Sequence, residues 1–254
     1  MLVVTSNIQH GHPLVGDASS AERLATAFRD LPGDVLALQE VDKGQARSGR
    51  IDETAVVAEA LGFRWHRFAA AFAGSTRGLR RRPVPSDVPD DAGYGVALLS
   101  RWPVSSWHVR PLRPGPVRVA PADTRLGFQV RLDQPRVLLA AVVQAPFGPV
   151  AVGCTHLSVA PPVARRQLAE AAWALRTLPG PHLLLGDLNM GPDDAARVTG
   201  MRGLAQAATF SAWRPRRQLD HVLAGPGLRA AGEASTVRLP VSDHLALAVG
   251  VEPA

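Results

Sequence analysis

Cysteine, lysine and tyrosine each occur once in the 254 residues, as Cys154, Lys43 and Tyr94. A single cysteine excludes an intrachain disulfide framework and is compatible with a reducing compartment. Cys154 lies inside an apolar run and reads as a small core residue, not a nucleophile. No apolar stretch approaches the roughly 18 residues that a membrane-spanning helix needs. The N-terminus lacks a basic segment followed by an apolar one, and Leu2-Val3-Val4-Thr5 already reads as a first strand. These absences point to a soluble, cytoplasmic protein without a membrane span. Internal repeats and low-complexity tracts are also missing. Trp65, Trp102, Trp107, Trp173 and Trp213 are scattered, so the chain offers no run of aromatic and basic residues of the kind that stacks single-stranded nucleic acid.

What is present is an ordinary globular balance, with 46% hydrophobic and 20% charged residues. The length suffices for a well-buried core. The formal net charge is +6 with a pI near 11.0, and all but one of the 28 cationic residues are arginine. Arginine grips phosphate through a planar fork, so the charge favours phosphorylated or polyanionic partners, nucleic acid among them. Arg77, Arg80, Arg81 and Arg82 cluster in a proline-bearing stretch from Gly74 to Gly93. This reads as an exposed loop that could touch an anionic substrate or could simply be a solvated insertion.

Apolar runs end repeatedly in polar residues. Leu183-Leu184-Leu185 reads as a strand buried on both faces, followed by Gly186, Asp187, Leu188 and Asn189. In an extended segment Asp187 and Asn189 share a side; alternatively they cap their own backbone in an Asx turn. Leu2 to Ile8 is a strand carrying Asn7, and Asp34 to Leu38 runs into Glu40, taken as a residue just past a strand end. Strand-like runs over Leu126–Leu132, Val137–Val143 and Val150–Cys154, with turn residues between them, read as antiparallel hairpins, the last delivering His156. Gln218 to Leu223 carries Asp220, and a loop over Leu239–His244 carries Asp243 and His244 before a final strand. Helices are expected after Ser19 or Ser20, over Asp52–Leu61, over Val163–Leu178 and near Asp193–Thr199.

Carboxylates, carboxamides and two histidines without a serine or cysteine nucleophile suit a hard cation with oxygen ligands, Mg2+ before zinc, and fit phosphoester hydrolysis. The segments Thr5-Ser6-Asn7-Ile8, Leu38-Gln39-Glu40, Tyr94 to Arg101, Thr155-His156-Leu157, Gly186-Asp187-Leu188-Asn189, Leu219-Asp220-His221-Val222 and Ser242-Asp243-His244 resemble, in order, the motifs of the endonuclease/exonuclease/phosphatase superfamily. That resemblance implies an α+β fold in one domain over residues 1–254, a four-layer sandwich of two mainly antiparallel sheets with helices outside. It also implies a Mg2+-dependent hydrolase, with Mn2+ as a substitute, that cleaves phosphodiester bonds in a nuclease-like reaction. Phosphomonoesterase or lipid-headgroup hydrolysis, and a catalytically silent phosphate- or nucleic-acid-binding module, are the alternatives. By the same resemblance Glu40, Asn7 and Asp243 are metal ligands, and Asp187 activates water. Asn189, His156 and His244 hold phosphoryl oxygens, while Asp220 backs His244. Gln9 stands where some nuclease members carry an aspartate, which leaves the number of metal ions open. A monomer is expected.

Overall fold

The computed structural model describes residues 1–12, 21–76, 82–83, 92–116, 118–121, 128–131 and 133–254. The arginines at 77, 80 and 81 and the proposed caps Ser19 and Ser20 fall outside the described residues, and of Arg82 only the main chain falls within them.

Along the chain the strands are Leu2–Asn7 (β1), Val35–Lys43 (β2), Trp65–Ala73 (β3), Arg82–Pro83 (β4), Gly93–Ser100 (β5), Val104–Leu112 (β6), Arg118–Pro121 (β7), Phe128–Arg131 (β8), Arg136–Ala145 (β9), Gly148–His156 (β10), His182–Asp187 (β11), Arg202–Gly203 (β12), Asp220–Ala224 (β13), Leu228–Ala230 (β14), Ser235–Arg238 (β15) and Leu245–Pro253 (β16). Four α-helices, counted among the described residues, are Ala21–Phe28 (α1), Glu53–Leu61 (α2), Pro161–Leu175 (α3) and Pro192–Thr199 (α4). None is long and apolar enough to cross a membrane.

The first sheet has the order β14-β16-β1-β2-β5-β3-β4, with β15 also on β16, and the second has the order β12-β13-β11-β10-β9-β6. Each contains one parallel pair, β1 with β2 and β10 with β11, and its other pairs are antiparallel. Val35, Ala37, Val152, Cys154, Leu183 and Leu185 pack between the sheets. The alternate residues Leu36 and Leu38 face α1 and α2, while Leu184 faces α3. Strands covered on both faces have no polar side, which explains the unbroken apolar runs in the sequence. The helices obey their local signals. Asp52 caps α2 by accepting from Ala55 N at 3.1 Å, and Gly62 closes it at φ 66°.

Three sequence expectations are corrected. Glu40 is not past a strand but inside β2, at a bulge between Gln39 and Val41, with φ 57°. β8 does not form a hairpin with β9; it pairs with β7 in a separate two-stranded ribbon. The chain is not extended through Asn189, because β11 ends at Asp187 and Asn189 turns left-handed at φ 52°. The edge strand β6 has no counterpart in the sequence reading, since its polar residues and Pro111 hide the alternation.

Gly186 controls how closely the second sheet can be drawn together at this end. Its φ is 148°, and a Cβ there would lie 1.9 Å from Thr155 O. No rearrangement of a flexible side chain relieves a clash with backbone. Gly186→Ala is therefore expected to cost on the order of 3 kcal/mol, lowering the thermal midpoint by roughly 6–12 °C, measurable by calorimetry. An unchanged midpoint would contradict the close approach.

Candidate active site

Strand direction gathers the site. β1, β2, β10 and β11 run towards one rim of the sandwich, and β13 and β16 start from it. Asn7, His156 and Asp187 are the last residues of β1, β10 and β11, while Asp220 is the first of β13. His156, Asp187 and Asp220 are successive cross-strand partners in one row. Each keeps the alternation of the inter-sheet residues on its strand, so all three point between the sheets.

Glu40 needs the bulge to join them. Regular alternation would put it with Leu36 and Leu38 on the helix face. The extra residue in left-handed conformation turns the carboxylate to the rim instead, where Glu40 Oε1 accepts from Asn7 Nδ2 at 3.2 Å. The same amide nitrogen donates to Asp187 Oδ2 at 3.1 Å, and Asn7 Oδ1 accepts from Gln9 N at 3.1 Å. Asn7 thus presents its nitrogen, not its oxygen, to both carboxylates. The Ser242 hydroxyl donates to Asn7 O and accepts from His244 N at 3.0 Å, which ties the end of β1 to the start of β16.

Asp187 divides its two oxygens. Oδ1 accepts from Asn189 N at 3.0 Å, so the Asx turn considered from sequence is real. Oδ2 faces the cleft, 3.6 Å from His156 Nε2 and 3.8 Å from His244 Nε2. His244 Nδ1 lies 2.8 Å from Asp220 Oδ2, and the Phe210 ring packs on the imidazole at 4.9 Å between centroids. Asn189 Nδ2 donates to Leu157 O at 3.0 Å. Asp243, half-buried, lines the cleft beside His244. All eight residues singled out from sequence come together here except that Asp220 lies behind His244, away from the cleft lining. The cleft has a volume of about 570 Å³.

Burial and neighbours set the charges. Burial, reinforced by the Asp220 carboxylate, raises Asp187 to about 7. Burial pulls His244 down, but the hydrogen bond and charge of Asp220, helped by Asp187 and Asp243, outweigh it and lift the imidazole to about 9. Burial, then Arg136 and His244, hold His156 well below the usual histidine value. Around neutral pH His244 is the cationic imidazole and His156 the neutral one. The thiol of Cys154, by contrast, is pushed up to about 12 by burial and is inert.

Two donor sets could hold a cation. Among the described residues the carboxylate and imidazole ligand atoms that lie within 4.8 Å of one another belong to Asp187, Asp220 and His244. Asp220 Oδ2 is already engaged by His244 Nδ1, so this trio is first a hydrogen-bonded chain. Glu40 is the centre of the second set, with Asp243 on the same cleft wall; the Asn7 carboxamide turns its nitrogen to Glu40 while its oxygen accepts from Gln9 N. The oxygen-rich donors of this set fit a hard divalent ion.

The family model for the endonuclease/exonuclease/phosphatase family matches residues 4–244. The chain belongs to this family. The family is generally hydrolytic on phosphoester bonds, and divalent metals are common among its enzymes. Among solved structures, an endonuclease/exonuclease/phosphatase from Beutenbergia cavernae is similar at 20% identity, covering 100% of this chain and 71% of that one, with a TM-score of 0.72. Sphingomyelinase C from Streptomyces griseocarneus follows the same fold at 16% identity, 98% of each chain and a TM-score of 0.61. A humanized D. rerio TDP2 does so at 14% identity, 99% and 98% coverage and a TM-score of 0.60. By sequence, no curated protein matches the chain.

Within this family fold the sequence reading passed over cleft residues whose position depends on tertiary structure. Arg136, Arg47, Arg217 and Phe210 all line it. Arg47 forks onto Asp42 at 2.8 Å through two nitrogens and lies over Tyr94, and Arg217 lies over Phe210. His221, inside one of the motifs, turns the other way and bonds Met190 O at 2.9 Å.

The raised value of His244 makes stability pH-dependent. Below the ordinary histidine value of 6.5 both folded and unfolded chains hold the proton and the stabilisation is complete; it is lost as pH rises to about 9. The unfolding free energy from denaturant titration should fall by roughly 3 kcal/mol across that window, and His244→Gln should flatten the fall. A wild-type profile level from pH 6.5 to 9 would refute the assignment.

Proposed function

We propose that this chain is a divalent-metal-dependent hydrolase of phosphodiester bonds, nuclease-like in its reaction, acting as one catalytic unit. The observation that carries the reading is the convergence of Asn7, His156 and His244 on Asp187 Oδ2, at 3.1, 3.6 and 3.8 Å. Glu40 and Asp243 are the residues that would hold the cation, joined by Asn7 once its carboxamide oxygen turns from Gln9 N to the cleft; the hard oxygen donors would favour Mg2+, with Mn2+ as a substitute. When bound, the ion supplies charge neutralisation at a phosphoryl oxygen.

The chain's own groups account for the remainder. Asp187, with a proton affinity near neutrality, suits the orientation and deprotonation of an attacking water. Asn7 holds that carboxylate in place. His244, kept cationic by Asp220, donates from Nε2 to phosphoryl oxygens as negative charge grows on them in the in-line displacement. His156 is a neutral donor whose Nε2 lies 3.6 Å from the same Asp187 oxygen, and Asn189 has one amide proton left after bonding Leu157 O. The arginine-dominated charge and the cleft arginines favour an ester within a polyanion, nucleic acid foremost.

Hydrolysis of bis-p-nitrophenyl phosphate and p-nitrophenyl phosphate in Mg2+, Mn2+ or EDTA tests this directly. The diester should be turned over with either metal and not in EDTA. Asp187→Asn and His244→Ala should remain folded and lose roughly a thousandfold or more in kcat. Near-normal turnover by either variant would remove its residue from the mechanism, and preference for the monoester would displace the diester reading.

A further inference from the structure

Arg136 carries the one guanidinium of the described cleft that is both buried and uncompensated. It opens β9 directly after Asp133-Gln134-Pro135 and is 7% exposed. Among the described residues its buried Nε and Nη1 have no hydrogen-bond partner and it forms no ion pair. The acid nearest in sequence is occupied elsewhere, since Asp133 Oδ1 accepts from Ser158 Oγ at 2.7 Å and Oδ2 from Gly115 N at 3.1 Å. Arg47 shows the contrast, for Asp42 neutralises it through two hydrogen bonds.

A guanidinium withdrawn from water without an anion is strongly unfavourable, and such a group persists where a ligand supplies the counter-charge. Arg136 lines the cleft together with His156. Among the described residues His156 Nδ1 is likewise buried and without a partner, and Arg136 helps to depress the proton affinity of that imidazole. The wall that Arg136 and His156 share therefore presents a guanidinium with unused donors to the cleft.

We propose that Arg136 is a substrate-binding residue that donates to an anionic phosphoryl oxygen of the bound ester, so that the cleft grips phosphate from the His156 side as well as from the His244 side. The proposal rests on the phosphoesterase reading only for the identity of the ligand. A purely structural account also exists: a void of about 10 Å³ between Arg136, His156, Tyr94 and Gly95 is about the size that one water requires.

Calorimetric titration of inorganic phosphate into the EDTA-treated full chain separates the two without requiring turnover. Phosphate affinity should fall roughly 10- to 100-fold in Arg136→Gln, as for loss of a charge-assisted hydrogen bond, and less in Arg136→Lys. With Mg2+, kcat/KM for bis-p-nitrophenyl phosphate should fall in parallel, and added guanidinium ion below denaturing concentrations should restore part of it in Arg136→Ala. If Arg136→Gln does not fold, Arg136→Lys with the same two measurements decides. Phosphate affinity and kcat/KM unchanged in the folded variant would overturn the proposal. Phosphate binding that needs Arg136 in a wild-type chain with no esterase activity would overturn the hydrolase reading and leave this one standing.

Discussion

A hydrogen bond between residues 180 positions apart, Asn7 Nδ2 to Asp187 Oδ2, joins the two sheets at the rim where the polar groups meet. It exists only because the inter-sheet core below it sets the separation of β1 and β11. Leu183, Leu185, Val35 and Ala37 fill that space, and a closely packed interior transmits any change in their volume to the strand ends above. Positioning of the site is thus a property of the apolar layer, and Asn7 reports it.

The rim is electrostatically unfavourable before anything binds. Asp187 and Asp220 are direct cross-strand partners, a juxtaposition of like charges that weakens a sheet, and both are buried. His244 answers one of them through Nδ1, and Asn7 answers the other. Among the described residues Asp220 Oδ1 and His156 Nδ1 nonetheless have no hydrogen-bond partner. Unsatisfied buried polar groups at a cleft of this kind, here on Asp220, His156 and Arg136, are a local departure from stability of the sort that functional sites carry.

Much of this was legible in the amino-acid order. Runs such as Leu183-Leu184-Leu185 betray strands covered on both faces, and polar residues that follow such runs lie at strand ends. Asn7, His156, Asp187, Asp220 and His244 could be found that way, and the ordered motifs indicated the family. Glu40 was found for an incomplete reason, because a bulge in left-handed conformation has no signature when the residue is not glycine. Asn189 reaches the cleft by a turn that extended geometry does not describe. Arg136 was missed because an arginine following a proline reads as surface, and it sits against His156 at the far end of β10 and against Tyr94 and Gly95 of β5, residues distant from it along the chain. The pairing of β8 with β7 was hidden because Arg118–Pro121 was not read as a strand, so β8 was joined to the strand after it when its partner is the one before it.

The polarity of the strands has a further consequence for how such a protein can diversify. Groups held at β-strand tips are anchored by the sandwich, whereas Val159, Asn189, Phe210 and Arg217 line the same cleft from the connecting segments. Val159 stands 73% exposed on that border. Exchange of those connections remodels the entrance while the anchored tips stay fixed, so recognition and reactivity are separable inheritances within one scaffold.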